Sequence, residues 1–493
     1  MAEESANPTA PVEAGQASGL SEGTNQNAVT QEGAAPHEAG NIPVPPVDDE
    51  LLSPAPRTDR ADKLAFVVAT LVSLLVYLFT LAPEVTLEDS GVLVTSAYYA
   101  GIAGPPGQPV WTLYSWVFTK ILPFSNPAWR VSVGSAVAGA LLSGFLAMII
   151  SFSANAIFKD ATFLEKFTRT DWDKLRISGG VAASLALAFN GWFWWEAIIV
   201  DVLSLSFLLF AIVLWLLMRV SFYSSGRGAL CLAFFVFGML LTSNQELLVA
   251  LPGFICLVMV GRVRLGRDLA ILVLPLAAIL TVLHHWNANP WPLTGEPRNW
   301  PMILGFIIAI LIGVVAMVRT TGLGSHWKSA AAAALGFTGG LAFYLYLPIA
   351  SVTTPPVNWG YPRTVEGFCH VIARGQYERI NPTNSLDRYL MQLWYGLINI
   401  GDYFGWVYLG IAVVGGWFLY RADILGRRWL VGLVAVWICT GPLMVAMINP
   451  SNDRQSRELV SVFFCHSNII LAVLMGIGVI VLGAKTTESR RRA

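Results

Sequence analysis

Residues 64–82, LAFVVATLVSLLVYLFTLA, followed by Glu88-Asp89-Ser90-Gly91, decide the class of this chain. The apolar run is long enough to cross a bilayer core, which takes about 20 residues of helix. Two acids stand just beyond its end. A carboxylate beside a bilayer is costly unless it is solvated, paired or used, so the acidic motif is a candidate functional site. Pro105-Pro106-Gly107 follows and marks a structured turn in the same loop.

Working outward, the 493 residues are 55% hydrophobic and 13% charged, with a mean hydropathy of +0.59. A soluble fold carries about a quarter charged residues, so a polytopic membrane protein is expected. The 31 basic and 31 acidic residues cancel, which gives no global field to recruit nucleic acid. The five cysteines, Cys231, Cys256, Cys369, Cys439 and Cys465, are scattered and contain no CxxC pair, so neither a disulfide framework nor a cysteine-rich zinc site is expected. Residues 1–60 are rich in Ala, Glu, Gly, Pro, Asn and Gln, and the first aromatic residue of the chain is Phe66. They are expected to form a disordered tail.

About twelve spans are expected: 64–82, 131–153, 177–194, 198–218, 229–242, 245–260, 268–285, 302–318, 329–348, 404–420, 429–448 and 462–483. With the amino terminus in the cytoplasm, 22 of the 31 basic residues fall on the cytoplasmic side. That positive-inside bias orients the chain with both termini inside. The acidic motif then faces outward with three longer loops, 83–130, 286–301 and 349–403. The domain reading is a cytoplasmic tail (1–60), a transmembrane domain (61–485) and a short basic tail (486–493). The expected fold is all-α, with structured outer loops and interfacial helices.

In the first outer loop, Asp89 or Ser90 suits the N-cap of a short helix over 91–100, and Gly101 sits where a C-terminal glycine belongs. The helix dipole would stabilise a carboxylate there as the anion. Residues 110–122 hold Trp111, Tyr114, Trp116 and Phe118 with a single charge, Lys120, the composition of a helix lying in the membrane interface. As a bare capping residue Asp89 would have no further role.

The ordered set Leu81 to Gly91, Gly101-Ile102 and Pro105-Pro106-Gly107 resembles the start of the protein O-mannosyltransferase-like family of the GT-C glycosyltransferase superfamily. Trp194-Trp195-Glu196, Gly238 to Pro252, Tyr346-Leu347-Pro348-Ile349 and Pro355 to Gly360 continue the resemblance in the same order. The chain departs from it at Val92, where the family usually has Glu, at Gly104, where it usually has His, and at Thr242 to Glu246, which replaces a Thr-His-His type segment. The resemblance implies a membrane enzyme that moves a sugar, such as mannose, from a polyprenyl-phosphate donor to an acceptor hydroxyl of a protein or glycan on the outer face. It implies no cofactor. The expected location is a bacterial cell membrane.

Phosphate is already a good leaving group, so this chemistry needs one carboxylate to deprotonate the acceptor and cations to hold the phosphate. Asp89 is the expected base and Glu88 its substitute. Outward cations are few. Arg454 and Arg457, in a polar turn abutting the last span, rank first for the donor phosphate, followed by Arg374 and Arg379, since arginine grips phosphate oxygens in a fork. Each could equally be solvated or paired with Glu366, Glu378, Asp387, Asp453 or Glu458. Glu196, Trp194, Trp195 and Trp359 are candidates for the sugar or acceptor, against the alternative of an aromatic belt with a solvated acid. Adjacent His284 and His285 diverge on a helix, so no metal site is expected. A transporter or flippase for lipid-linked glycans, or an inactive scaffold relative, stays open as an alternative. No internal repeat of the kind common in transporters is found.

Overall fold

The computed structural model describes residues 58–87, 89–165, 167–223, 226–272, 318, 322–375, 382–383, 385–451, 453 and 462–492. Residues 1–57 of the expected tail 1–60 and the loop 286–301 lie outside them, as do nearly all of the expected spans 268–285 and 302–318, whereas Asp59 caps the first helix and Arg60 begins it. The described residues are all-α, with one isolated parallel bridge between Ile102 and Asn358. Six helices among them are long and apolar enough to cross a membrane, so this is a multi-pass membrane protein.

The first span is α1 (Arg60–Phe79), followed in the next loop by α2 (Ser90–Tyr99) and α3 (Pro109–Ile121). Next come α4 (Pro127–Phe158), α5 (Arg169–Ala188), α6 (Gly191–Ile198), α7 (Leu203–Phe222), α8 (Arg227–Ser243) and α9 (Leu251–Gly261). Further on are α10 (Trp327–Leu341), α11 (Tyr346–Val352), α12 (Val365–Ile372), α13 (Leu386–Ile400), α14 (Trp406–Arg421), α15 (Ile424–Ile438), α16 (Met444–Ile448) and α17 (Cys465–Arg492).

Local chemistry explains where these boundaries differ from expectation. The expected span 177–194 is two helices, because the Asn190 side chain accepts from Trp192 N–H and starts α6 anew. The expected span 245–260 opens with a 3-10 stretch, Gln245–Ala250, and becomes α-helical at Leu251. Pro252, which has no N–H to offer, suits that first turn. The last span runs on as one helix to Arg492, through the expected basic tail.

The span windows in α4, α7 and α17 are 83% buried, whereas that of α1 is 28% buried, so α1 lies at the edge of the bundle. Close approach between spans depends on small residues, since in lipid the helices gain little from the hydrophobic effect and associate by packing. A Cβ at Gly340 of α10 would run into the Phe235 carbonyl of α8, and one at Gly415 of α14 into the Leu474 carbonyl of α17. The α1–α4 seam adds a polar clasp, with Ser73 Oγ donating to Ser143 Oγ at 3.0 Å.

At the start of α1, away from the acidic motif, the fully buried Arg176 of α5 gathers three acids. It donates to Asp62 at 2.7 Å and to Asp173 at 2.7 Å, and it also pairs with Asp59. Ser151 Oγ of α4 donates to Asp62 at 2.7 Å. Asp59 and Asp62 also form a capping box for α1. One arginine therefore ties α1, α4 and α5 at one end of the bundle. Removing one partner of a buried ion pair strands the others, so Arg176→Ala should destabilise the fold by about 3–5 kcal/mol. Thermal unfolding in lipid nanodiscs measures this, and a midpoint within one degree of the parent would contradict it.

Candidate functional site

Asp89 takes the N-cap position of α2, with φ −82° and ψ 5°, but its side chain makes no capping hydrogen bond. The helix begins one residue earlier than expected and ends with Ala100, not a glycine, in the left-handed conformation. Ser90 Oγ turns back to donate to Thr86 O at 2.6 Å. The Asp89 carboxylate is exposed and has no hydrogen bond or ion pair among the described residues. Glu88 lies outside the described residues.

Two chain-distant segments hold this helix in place. Ile102 N–H donates to Val357 O at 2.9 Å, and Trp359 N–H donates to Ile102 O at 3.2 Å. The Tyr346 hydroxyl donates to the carbonyls of Ala100 and Gly101. Gly101 is needed for this approach, because a Cβ there would sit 2.5 Å from Val357 O. At the start of α3, Gly107 (φ 93°) lies against Leu347, and a Cβ would come within 2.5 Å of its Cδ2. Two of the three departures from the family pattern face space. A Cβ at Gly104 meets no atom within 4 Å, and Val92 is 43% exposed.

The α6 segment closes the same side. Trp194 Nε1 donates to Thr80 Oγ1 at 3.0 Å, and Ala82 N–H donates to Ile198 O at 2.9 Å, so α6 braces the end of α1. Trp111 Nε1 of α3 donates to Asp201 O at 2.9 Å. Glu196 is 5% exposed and close enough to Cys465, the first residue of α17, to act on it electrostatically. Trp195 and Trp359 remain about half exposed, whereas Trp194 is half buried. Asp201 belongs to a different task, accepting from Leu203 N–H at 2.7 Å to start α7.

Of the four candidate arginines, Arg379, Arg454 and Arg457 lie outside the described residues. Arg374 has a left-handed backbone, and its guanidinium pairs with Glu246 of the 3-10 stretch before α9. Beside it, Gln245 Nε2 donates to Tyr344 OH at 2.9 Å and to Ile372 O at 3.1 Å. A buried amide, Gln392 of α13, donates to Pro450 O at 2.7 Å and to Asn449 Oδ1 at 3.0 Å. It anchors the turn that leads toward residues 454–461. Tyr389 of the same helix donates to Pro442 O at 3.0 Å, and burial pushes its phenol up, which keeps it a neutral donor.

The structure thus joins the Asp89 loop to the Trp194–Glu196 segment and to the loop that carries Trp359. Sequence reasoning gave no role to Tyr346 or Gln392, although Tyr346 stood within a quoted motif. A lone tyrosine or glutamine in an apolar run carries no sign of its partner.

Residues 89–266, beginning at the acidic motif, match the family described as the protein O-mannosyl-transferase TMEM260 N-terminal domain. The mouse protein O-mannosyl-transferase TMEM260 is 23% identical over 426 residues, covering 84% of this chain and 49% of the relative. The Dictyostelium discoideum protein O-mannosyl-transferase tmem260 is 29% identical over 99 residues, 20% of this chain and 12% of the relative. The chain spans about half the length of the mouse relative. No solved structure matches. The helical order, the match from Asp89 onward and the two named relatives agree in making this chain similar to protein O-mannosyltransferases.

Proposed function

We propose that this chain is a GT-C type glycosyltransferase of a bacterial cell membrane. It would transfer a hexose, mannose by analogy with the relatives' names, from a polyprenyl-phosphate donor to an acceptor hydroxyl on a protein or glycan at the outer face. One observation carries the reading. An exposed carboxylate, bonded to nothing among the described residues, stands at a helix start just beyond the first span, on a loop clamped at two places.

Asp89 accepts the proton of the acceptor hydroxyl as its oxygen attacks the anomeric carbon. The bond from that carbon to the phosphate oxygen breaks, and polyprenyl phosphate leaves with the electron pair. A single displacement inverts the anomeric centre. The charge growing on the phosphate calls for cations, which Arg454, Arg457 and Arg379 supply, with Arg374 contributing if it exchanges Glu246 for the donor. Glu196, buried beside the start of α17, orients the acceptor.

The test uses purified protein in lipid nanodiscs, radiolabelled mannosyl-phosphoryl-polyprenol and a serine- and threonine-bearing acceptor peptide. Asp89→Asn keeps a residue well suited to an N-cap and removes the proton acceptor, so turnover should fall by about a hundredfold or more. Normal transfer by both Asp89→Asn and Glu88→Gln would remove the base assignment. Movement of the intact lipid-linked sugar across vesicles, with no glycosylated product, would favour a flippase.

Orientation is tested separately, motivated by the 22 basic residues expected on the cytoplasmic side. In intact cells an impermeant thiol reagent should label native Cys369, which is exposed, and a cysteine placed at Tyr99. It should spare one placed at Thr170. Labelling of position 170 alone would invert the topology and the site with it.

A further inference from the structure

Five buried side-chain oxygens of the first and late outer loops have no hydrogen-bond partner: Ser96 Oγ, Gln108 Oε1, Thr112 Oγ1, Ser351 Oγ and Asn358 Oδ1. Ser96, Thr112 and Ser351 are fully buried residues. A buried polar atom left unpaired costs roughly 1–3 kcal/mol, so five on two loops that are hydrogen-bonded to each other point to a ligand that completes them.

Their placement follows from contacts already described. Thr112 sits one turn after Gln108, to whose carbonyl its N–H donates at 2.9 Å. Gly107 packs on Leu347, one helical turn before Ser351 on the same side of α11. Asn358 Nδ2 donates to Ser351 O at 3.3 Å, and Asn358 bridges Ile102. Ser96 O receives the Gly101 N–H at 2.8 Å. Along α2, Ser96 lies seven residues past Asp89, about two turns on and on the same side.

None of the five carries charge. The Gln108 and Asn358 oxygens can only accept, while the three hydroxyls both donate and accept. A matching ligand brings several closely spaced O–H groups and no net charge. Phosphate fails this requirement, because at neutral pH it offers mainly acceptors and its charge would be desolvated without a cation. The vicinal hydroxyls of a pyranose ring meet it, and the half-exposed Trp359 next to Asn358 offers an apolar face for the ring. We propose that Ser96, Gln108, Thr112, Ser351 and Asn358 form the subsite for the neutral hexose ring of the donor, an assignment that rests on the transferase reading above.

The experiment compares binding of mannosyl-phosphoryl-polyprenol with binding of bare polyprenyl phosphate of the same chain length, using the full chain in nanodiscs. Thr112→Val and Ser351→Ala remove hydroxyls while nearly conserving shape, and Asn358→Leu removes an amide. Each should weaken binding of the sugar-bearing lipid by about three- to tenfold and leave the bare lipid unchanged. For Thr112→Val and Ser351→Ala the ligand-free unfolding midpoint should hold or rise, since an unpaired polar atom has gone. If Asn358→Leu does not fold, the two shape-conserving variants carry the test. An unchanged preference for the sugar-bearing lipid in the variants would mean that ordered water alone completes the junction. That result overturns the subsite while Asp89→Asn still tests the transferase reading. A parent protein that binds neither lipid overturns both.

Discussion

Non-helical backbone near a membrane must find hydrogen bonds within the protein, and the candidate site around Asp89 depends on how one short stretch does so. Past the end of α2, the carbonyls of Ala100, Gly101 and Ile102 and the amide of Ile102 find no partner within the helix. Val357, Trp359 and the Tyr346 hydroxyl satisfy them. Because these partners come from the opposite half of the chain, the short helix carrying Asp89 is fixed relative to the late spans, not only to the one it follows. Without that pairing Asp89 would stand on a free loop.

The bundle beneath is held by a different kind of contact. Gly340 and Gly415 let spans meet backbone to backbone, and Arg176 locks α1, α4 and α5 at the end away from Asp89. Charge is therefore satisfied internally at one end and left available at the other. Asp59, Asp62 and Asp173 share one arginine, whereas the Asp89 carboxylate has no partner among the described residues. Arg374 is intermediate, ion-paired yet only partly buried, which suits a cation that trades one anion for another.

The helical class and the position of the acidic motif were legible because both are local. An apolar run such as 64–82 has few other outcomes, and an Asp-Ser pair before a short helix reads as a cap. The N-cap position of Asp89 was right, but the capping bond was not, since the backbone there is nearly helical and turns the carboxylate outward. The breaks at Asn190 and Leu251 were missed because apolar composition runs through them and only a side-chain cap or a proline marks the boundary. The partner of Arg374 could not be read at all. Sequence proximity pointed to acids of its own loop, whereas Glu246 lies 128 residues away. The junction residues Gln108, Ser351 and Asn358 were silent for the same reason, being single neutral polar residues whose meaning comes only from what the fold brings beside them.

The central claim is that sugar transfer occurs at the outer mouth beside Asp89. It is tested most directly by a structure of the protein in nanodiscs with a non-hydrolysable C-glycoside phosphonate analogue of mannosyl-phosphoryl-polyprenol. The account predicts the hexose ring at the junction of the first and late outer loops. The Asp89 carboxylate should stand about 3–4 Å from the position of the attacking acceptor oxygen, or one water away from it. A head group lodged at the Arg176 end of the bundle, or midway through the spans with Asp89 far from it, would contradict the account.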